Sequence, residues 1–274
     1  MLVAALGFAI MGAFVKIGAQ KFSSMELVFY RSLFGFAIIW FTIFLRKGKL
    51  KSPVLGKQIS RAMVGFISLV LFFYAITHLP LATAITLNYT SGLFLGVLTP
   101  LFLHEKPKKI TYLALILGFS GIVLLLKPSV SAQDLFAMGI GLLSGLGAAF
   151  AYMLVKQLGQ HHEPDWRTVF YFTLVSSLFA GGWALIEGMR TIDWQDLPIL
   201  LGIGISATIA QLAMTRAYRT GNTLIVACLA YFTVIFASIF GVIFWQEHLD
   251  MQSGIAIALI IVSGILSSQS GAKT

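Results

Sequence analysis

Long apolar runs recur along the whole chain and are separated by short polar connections. Each run is about 18–22 residues long, which a helix rising 1.5 Å per residue needs to cross a hydrocarbon layer about 30 Å thick. Backbone amides inside lipid must bond within their own segment, so these runs indicate helices, because barrel strands would alternate in polarity. The pattern predicts helices near residues 2–20, 25–45, 62–79, 81–103, 110–127, 135–157, 168–187, 197–216, 223–245 and 251–270.

Composition excludes an ordinary soluble domain. The chain is 58% hydrophobic and only 11% charged, whereas soluble domains average about 45–50% apolar and about 25% charged residues. The sequence therefore predicts an all-α membrane protein with ten transmembrane helices. The single cysteine, Cys228, excludes an internal disulfide and a cysteine metal site.

The net charge of +9 reflects membrane topology and does not indicate nucleic-acid binding. Most basic residues fall in alternate connections, whereas the opposite connections hold only Lys16, Lys21, Lys127 and Arg190. By the positive-inside rule, the basic connections and both termini are expected in the cytoplasm. The basic side carries Arg46, Lys47, Lys49, Lys51, Lys57, Arg61, Lys106, Lys108, Lys109, Lys156, Arg167, Arg216, Arg219 and Lys273.

The two halves of the chain share a weak internal repeat. Tyr89 matches Tyr231 and Glu105 matches Glu247 at one constant offset, and Val28-Phe29-Tyr30 matches Val169-Phe170-Tyr171 upstream. Five helices is an odd number, so a second copy of the unit must enter the membrane from the opposite face. The repeat predicts two inverted five-helix units, residues 1–130 and 131–274, around a central cavity that opens alternately to each side.

These features resemble the drug/metabolite transporter superfamily, specifically its bacterial EamA-type branch. The resemblance covers nearly the whole chain and includes a helix exit that ends in glutamate in each half, at Leu103-His104-Glu105-Lys106 and Trp245-Gln246-Glu247-His248. It implies a basket of ten helices in the bacterial inner membrane and export of amino acids or related metabolites. The late Gly-Ala-Leu-Asn-Lys-like signature of the sugar-nucleotide branch is absent from this sequence.

Arg31 is the most informative residue, because it lies about one and a half turns inside the second span. A guanidinium at the centre of a membrane helix costs roughly 2.5–3.5 kcal/mol on insertion scales, so something must compensate for it. Either Arg31 faces the cavity and binds a substrate carboxylate or phosphate in a bidentate pair, or it reaches the outer interface or caps a neighbouring helix.

Five further residues complete the predicted substrate site. Asn88 and Gln211 either line the cavity or form hydrogen bonds between helices. Tyr89 and Tyr231 lie close to mid-span, where a ring with a hydroxyl tip suits an amphipathic metabolite, or else they pack the helices. Tyr74 is a further candidate for the same site.

Four charged residues at helix ends are candidates for gating. Glu105 and Glu247 either contact a helix end or are simply solvated. Lys16 and Lys156 are repeat mates, and each either gates the cavity or extends its stem to the lipid headgroups. The run His161-His162-Glu163 lacks a third ligand at metal spacing and is expected to be a solvated loop.

All ten acidic residues fall at span ends or in connections, which favours facilitated diffusion or exchange over coupling through a buried carboxylate. No phosphate-binding loop, dinucleotide fingerprint or nucleophile elbow supports ATP use or catalysis. The sequence therefore predicts a secondary transporter without cofactor, metal or nucleic-acid partner, in a lipid bilayer, monomeric or homodimeric. It is expected to export amino acids or related amphipathic compounds; the alternative is uptake or exchange of a nucleoside-like cofactor or a sugar nucleotide.

Overall fold

The structure is a computed structural model that describes residues 1–45, 50–79, 81–103, 107–127, 134–246 and 251–271. Every regular element in these ranges is helical. The helices are α1 (Leu2–Gly18), α2 (Ser24–Leu45), α3 (Leu55–His78), α4 (Leu81–Tyr89), α5 (Ser91–Leu98) followed by a π-helical turn (Thr99–Leu103), α6 (Lys109–Leu126), α7 (Leu135–Gln160), α8 (Asp165–Glu187), α9 (Leu197–Thr220), α10 (Thr223–Ala230), α11 (Phe232–Trp245) and α12 (Met251–Gly271).

Nine helical segments of the described chain are long and apolar enough to cross a membrane, and the shorter α1 is a tenth apolar helix. The predicted all-α membrane fold is confirmed. Because the chain reverses direction at each connection, Met1 and Gly271 lie at the same end of the bundle. We call this end the terminus end and the other the far end; the cytoplasmic location of the terminus end stays a prediction.

Four helix pairs make the most extensive contacts in the bundle. Helix α1 packs on α9, α3 on α7, α2 on α8 and α6 on α12. Suppose that α7, α8, α9 and α12 of the second half correspond to α1, α2, α3 and α6 of the first half. The pairs α1–α9 and α3–α7 are then equivalent, and the pairs α2–α8 and α6–α12 each join two corresponding helices. Two inverted five-helix units would give this pattern, although the division into residues 1–130 and 131–274 stays a prediction.

Close approach of paired helices depends on glycine. A Cβ atom added at Gly7 of α1 would lie 2.9 Å from the Cβ of Ala210 in α9. One added at Gly121 of α6 would lie 2.8 Å from the carbonyl oxygen of Ala256 in α12. Lipid tails are as apolar as the surfaces of the helices, so the hydrophobic effect does not drive helices together inside the membrane. Helix association relies instead on van der Waals packing, which these small residues permit.

The fourth span of each half is broken near its middle. Thr90 separates α4 from α5, and Tyr231 separates α10 from α11. At both breaks a threonine hydroxyl donates to a backbone carbonyl three residues earlier: Thr90 to Leu87 at 2.5 Å and Thr233 to Ala230 at 2.8 Å. These side-chain bonds compete with the helical ladder, which explains the interruptions.

Several helices continue past their predicted ends on the terminus side. Helix α3 begins at Leu55 instead of residue 62, and α9 continues to Thr220 instead of residue 216. The apolar runs end earlier because these extra turns carry charged residues that face other parts of the protein. One of these residues, Arg61, was assigned to a basic connection from the sequence, and that assignment is wrong: Arg61 is 3% exposed within α3.

Candidate functional site

A small cavity lies at mid-depth between α2, α8 and α9. Thr208, on its wall, stands eleven residues from the start of α9 and twelve from its end. The free space that the cavity encloses has room for about one water molecule, far less than an ordinary ligand pocket. The helices must therefore separate to admit a metabolite. The lining residues are Arg31, Ser32, Phe172, Thr173, Ala207, Thr208 and Gln211.

Arg31 points into this cavity. Its Nη2 donates to Oε1 of Gln211 at 3.4 Å, which is long compared with the usual 2.7–3.2 Å of such a bond. No acidic side chain among the described residues forms an ion pair with Arg31. The structure thus brings two predicted site residues together and leaves the guanidinium with a weak neutral acceptor.

Arg61 is a second arginine at this site, and the sequence analysis missed it. Its side chain runs along α3 so that Nη1 lies beside Gly65. Its guanidinium carbon is 4.6 Å from the ring centre of Phe172, and that of Arg31 is 6.0 Å from the same ring. Phe172 lines the cavity, so both cations lie around one wall residue.

Three hydrogen-bond donors of Arg61 and Gln211 near this wall lack a partner. Nε and Nη1 of Arg61, and Nε2 of Gln211, are buried without a hydrogen-bond partner in the part of the chain that the structure describes. Buried polar groups are normally satisfied, so each such donor needs an explanation. A ligand that brings anionic oxygens would supply the missing acceptors.

A cluster of tyrosines adjoins the arginines. The rings of Tyr89 and Tyr231 are 6.0 Å apart and edge-on, and those of Tyr152 and Tyr218 are stacked at 4.5 Å. Tyr152 lies within electrostatic range of both Arg31 and Arg61, and also of Tyr89. The predicted pair Tyr89 and Tyr231 therefore meets where the two broken helices cross, beside the cavity and not on its wall.

The other two predicted substrate residues face α7 in a different part of the bundle. Asn88 donates from Nδ2 to Oγ of Ser144 at 3.1 Å, which is a bond between helices. Tyr74 stacks on His78 at 3.9 Å and meets Phe136 edge-on at 6.4 Å. Neither Asn88 nor Tyr74 lines the cavity that contains Arg31.

The predicted gating residues have separate surroundings. Nζ of Lys16 lies 4.2 Å from the ring centre of Trp245 at the far end. Nζ of Lys156 donates to the carbonyl oxygen of Gly221 at 2.6 Å at the terminus end. Glu105 and Glu247 lie outside the described residues.

The terminus end is held by a buried carboxylate. Glu163 is 1% exposed and accepts from Ser52 Oγ at 2.9 Å, Gln58 Nε2 at 3.0 Å and Arg167 Nη1 at 2.9 Å. The expectation that Glu163 belongs to a solvated loop is wrong, because it sits under the start of α3, where its partners converge. This network ties α3 to α8 at the terminus end.

A second ion pair extends the same network to α9. Arg219 pairs with Asp165 at 2.7 Å between Nε and Oδ1, and its Nη1 donates to the carbonyl oxygen of Glu163 at 2.9 Å. The flanking His161 and His162 remain exposed. Among the residues that the structure describes, no group of histidine, cysteine and acidic side chains is arranged to hold a metal.

At the far end, Lys21 forms a more exposed set of ion pairs with two aspartates. Lys21 Nζ donates to Asp193 Oδ2 and Asp196 Oδ2, both at 2.5 Å. The hydrogen bond to Asp193 and then that to Asp196 raise the pKa of Lys21, and the bond from Lys21 lowers the pKa of Asp196. These contacts join the α1–α2 turn to the segment before α9.

Comparison with known proteins agrees with this architecture. A family model described as the EamA-like transporter family matches residues 1–127 and 135–269. The pseudopaline exporter CntI of Pseudomonas aeruginosa is 31% identical over 97% of this chain and 94% of its own. A riboflavin transporter of Vibrio cholerae is 25% identical over 81% of this chain and 76% of its own. A crystal structure aligns over 97% of both chains with a TM-score of 0.83 at 15% identity, which shows the fold alone.

Proposed function

Since this chain belongs to the EamA-like transporter family, we propose that it is a secondary carrier that exports amino acids or related amphipathic metabolites by alternating access across a bacterial inner membrane. The family makes it a multi-pass membrane transporter of the drug/metabolite transporter superfamily and not an enzyme.

The observation that carries the proposal is the position of Arg31 on the cavity wall. Its guanidinium has a long bond to Gln211 and no acidic partner among the described residues. A carboxylate offers two oxygens in the planar geometry that a guanidinium binds best. A metabolite carboxylate bound at Arg31 would compensate the buried charge that the protein itself leaves uncompensated.

The small size of the cavity supports alternating access. Its free space has room for about one water molecule, and polar contacts hold both ends of the bundle. Rocking of one half against the other, with the cavity at the axis, would release one end at a time. No acidic residue of the described chain lies at mid-span, which supports facilitated diffusion or exchange instead of proton coupling through a buried acid.

Two relatives favour different substrates. The similarity to a protein named as a pseudopaline exporter supports outward transport. The similarity to a riboflavin transporter favours a second candidate, a nucleoside-like cofactor. The stacked rings of Tyr152 and Tyr218, 4.5 Å apart beside the arginines, favour the same candidate because a planar ring system stacks well on tyrosine.

Transport in proteoliposomes tests the proposal. The full-length protein should show saturable counterflow of an amino acid that falls at least ~30-fold in Arg31→Ala, because a lost charge-assisted contact costs about 2 kcal/mol. Arg190→Ala is the matched control, because Arg190 is exposed at the far end, and it should keep wild-type flux. Unchanged flux in Arg31→Ala would remove Arg31 from the site, and counterflow of riboflavin alone would favour the second candidate.

A further inference from the structure

Arg61 has no role in the function proposed above, yet its surroundings resemble those of Arg31. It is 3% exposed, and its Nε and Nη1 have no hydrogen-bond partner in the described ranges. Two partly buried arginines of the bundle are paired with acidic residues: Arg167 with Glu163 and Arg219 with Asp165. Structural packing therefore accounts for those two arginines and leaves Arg61 unexplained.

The ring of Phe172 only partly compensates the charge of Arg61. An aromatic face attracts a cation, but it offers weak acceptor capacity to the N–H groups of the guanidinium. The charge of Arg31 lies around the same ring and acts on Arg61 with the same sign. Two neighbouring cations, one buried and one half-buried, without an acidic residue of the described chain between them require negative charge from elsewhere.

We propose that Arg31 and Arg61 together bind a substrate with two acidic groups, one at each guanidinium beside Phe172. This inference rests on the proposed transport function and narrows its substrate to small dicarboxylic compounds. The free Nε2 of Gln211 adds a donor near the first acidic group. Thr173 and Thr208, also on the wall, donate to carbonyl oxygens of their own helices, so their hydroxyl oxygens remain as acceptors for the rest of the substrate.

The position of Arg61 explains why the second acidic group needs an open cavity. Arg61 is absent from the wall of the contracted cavity, and Phe172, which contacts it, forms that wall instead. The ring is also near Gly65, where an added Cβ would come within 3.2 Å of its Cε2 atom. A change in the Phe172 rotamer as α8 moves away from α3 would expose both guanidiniums to one ligand.

Matched probes that differ by one carboxylate test the inference. Glutamate and glutamine have nearly the same shape, as do aspartate and asparagine, and succinate supplies two carboxylates without an amine. Binding to the detergent-purified protein is measured by ligand-induced thermal stabilisation, and transport by competition with counterflow in proteoliposomes. The wild-type protein should bind glutamate and aspartate at least ~10-fold more tightly than glutamine and asparagine.

Variants assign this preference to Arg61. In Arg61→Gln the affinity for glutamate should fall to that for glutamine, while the affinity for glutamine changes less than ~2-fold. Arg61→Lys keeps the charge and should keep part of the preference, and Arg190→Gln, exposed at the far end, should keep all of it. A merely structural role of Arg61 would instead weaken both ligands equally.

The outcomes separate this inference from the proposed function. Equal affinity for glutamate and glutamine in the wild type, or an undiminished preference in Arg61→Gln, would overturn the two-acid site while amino-acid transport stands. Absence of amino-acid flux together with stabilisation by succinate would overturn the proposed substrate and support the two-acid site. If neither amino-acid flux nor stabilisation by succinate is observed, both proposals are overturned.

Discussion

Two clusters of buried and partly buried arginines in this bundle differ in their counter-charges. In the paired cluster at the terminus end, Arg167 and Arg219 meet Glu163 and Asp165 at 2.7–2.9 Å. In the unpaired cluster at mid-depth, Arg31 and Arg61 meet Gln211 and Phe172, without an acidic residue of the described chain. The same residue type thus forms a structural tie in one region and a ligand-binding candidate in the other.

The difference follows from the cost of burying charge. A cation taken from water loses several kcal/mol of hydration, and a well-bonded carboxylate offsets most of that loss. The paired cluster satisfies this requirement within the protein, so it contributes to stability. The unpaired cluster does not, so its arginines are expected to lower stability and to remain because they bind substrate. Substitutions in the two clusters should therefore have opposite effects on stability.

The largest expected effect is in the paired cluster. Glu163→Ala removes the acceptor of Ser52, Gln58 and Arg167 at once and leaves the partly buried guanidinium of Arg167 without this partner. We expect a loss of about 3 kcal/mol in the free energy of unfolding, because breaking a buried pair costs about 3–5 kcal/mol. The unfolding of the detergent-purified protein, followed by tryptophan fluorescence, measures it.

Glu187→Ala is the matched control for that measurement. Glu187 is the last residue of α8, at the far end, where it is exposed and accepts from Trp183 Nε1 at 2.6 Å. Its loss should change stability by less than about 0.5 kcal/mol. Similar stabilities of Glu163→Ala and the wild type would show that the network at the terminus end does not stabilise the fold. That result would contradict the proposed difference between the two arginine clusters.

An intermediate effect of opposite sign is expected in the unpaired cluster. Arg61→Met replaces a buried cation by an apolar chain of similar length and should raise the free energy of unfolding by about 1 kcal/mol, because hydrophobic replacements of buried charge are often stabilising by about 1–4 kcal/mol. Transport should fall in the same variant. Thermal unfolding and counterflow are measured on one preparation, and a destabilised Arg61→Met would place Arg61 among the structural residues.

The smallest effect is expected in the exposed pair at the far end. Lys21→Met removes the contacts to Asp193 and Asp196, and exposed pairs contribute little because water and salt screen them. The hydrogen bond from Lys21 lowers the pKa of Asp196 from 3.8 in the folded protein. The contribution of Asp196 to stability is therefore present above pH 3.8 and is lost as the pH falls through the lower pKa of the folded protein.

At high pH the stabilising effect of this contact is limited by Lys21, whose pKa is raised from 10.5. Its contribution is complete below that pH and is lost as the pH rises through the folded value. The small difference in melting temperature between the wild type and Lys21→Met should therefore be constant from about pH 5 to pH 9 and vanish in strong acid. A difference that persists at pH 2 would mean that Lys21 acts through packing of its stem instead.

Much of the fold and part of the site were predictable from the sequence. Apolar runs of membrane length gave the helices, and the buried position of Arg31 in such a run gave the first cation of the cavity. Gln211 was also predicted and lies on the wall. Asn88 lies elsewhere because a polar amide inside a span satisfies its hydrogen bonds equally well at a helix interface, as it does with Ser144.

Arg61 and Glu163 show what the sequence could not reveal. Both stand beside other charged residues at the end of an apolar run, where charge ordinarily marks a solvated connection. Hydropathy measures the average polarity of a window and carries no information about which face of a helix meets another helix. Burial of these two side chains depends on the docking of α3 against α8, which joins residues more than a hundred positions apart.

The sequence by itself determined the number and placement of the membrane helices, because the thickness of lipid fixes the length of an apolar run and backbone hydrogen bonding inside lipid requires a helix. Tertiary structure alone decided which charges are neutralised and which are not. Helices from both halves must pack before Glu163 can meet Arg167 and Gln58, and before Arg31 and Arg61 can meet around Phe172. Charge compensation depends on distances of a few ångströms between segments far apart in the chain, and those distances exist only in the packed bundle.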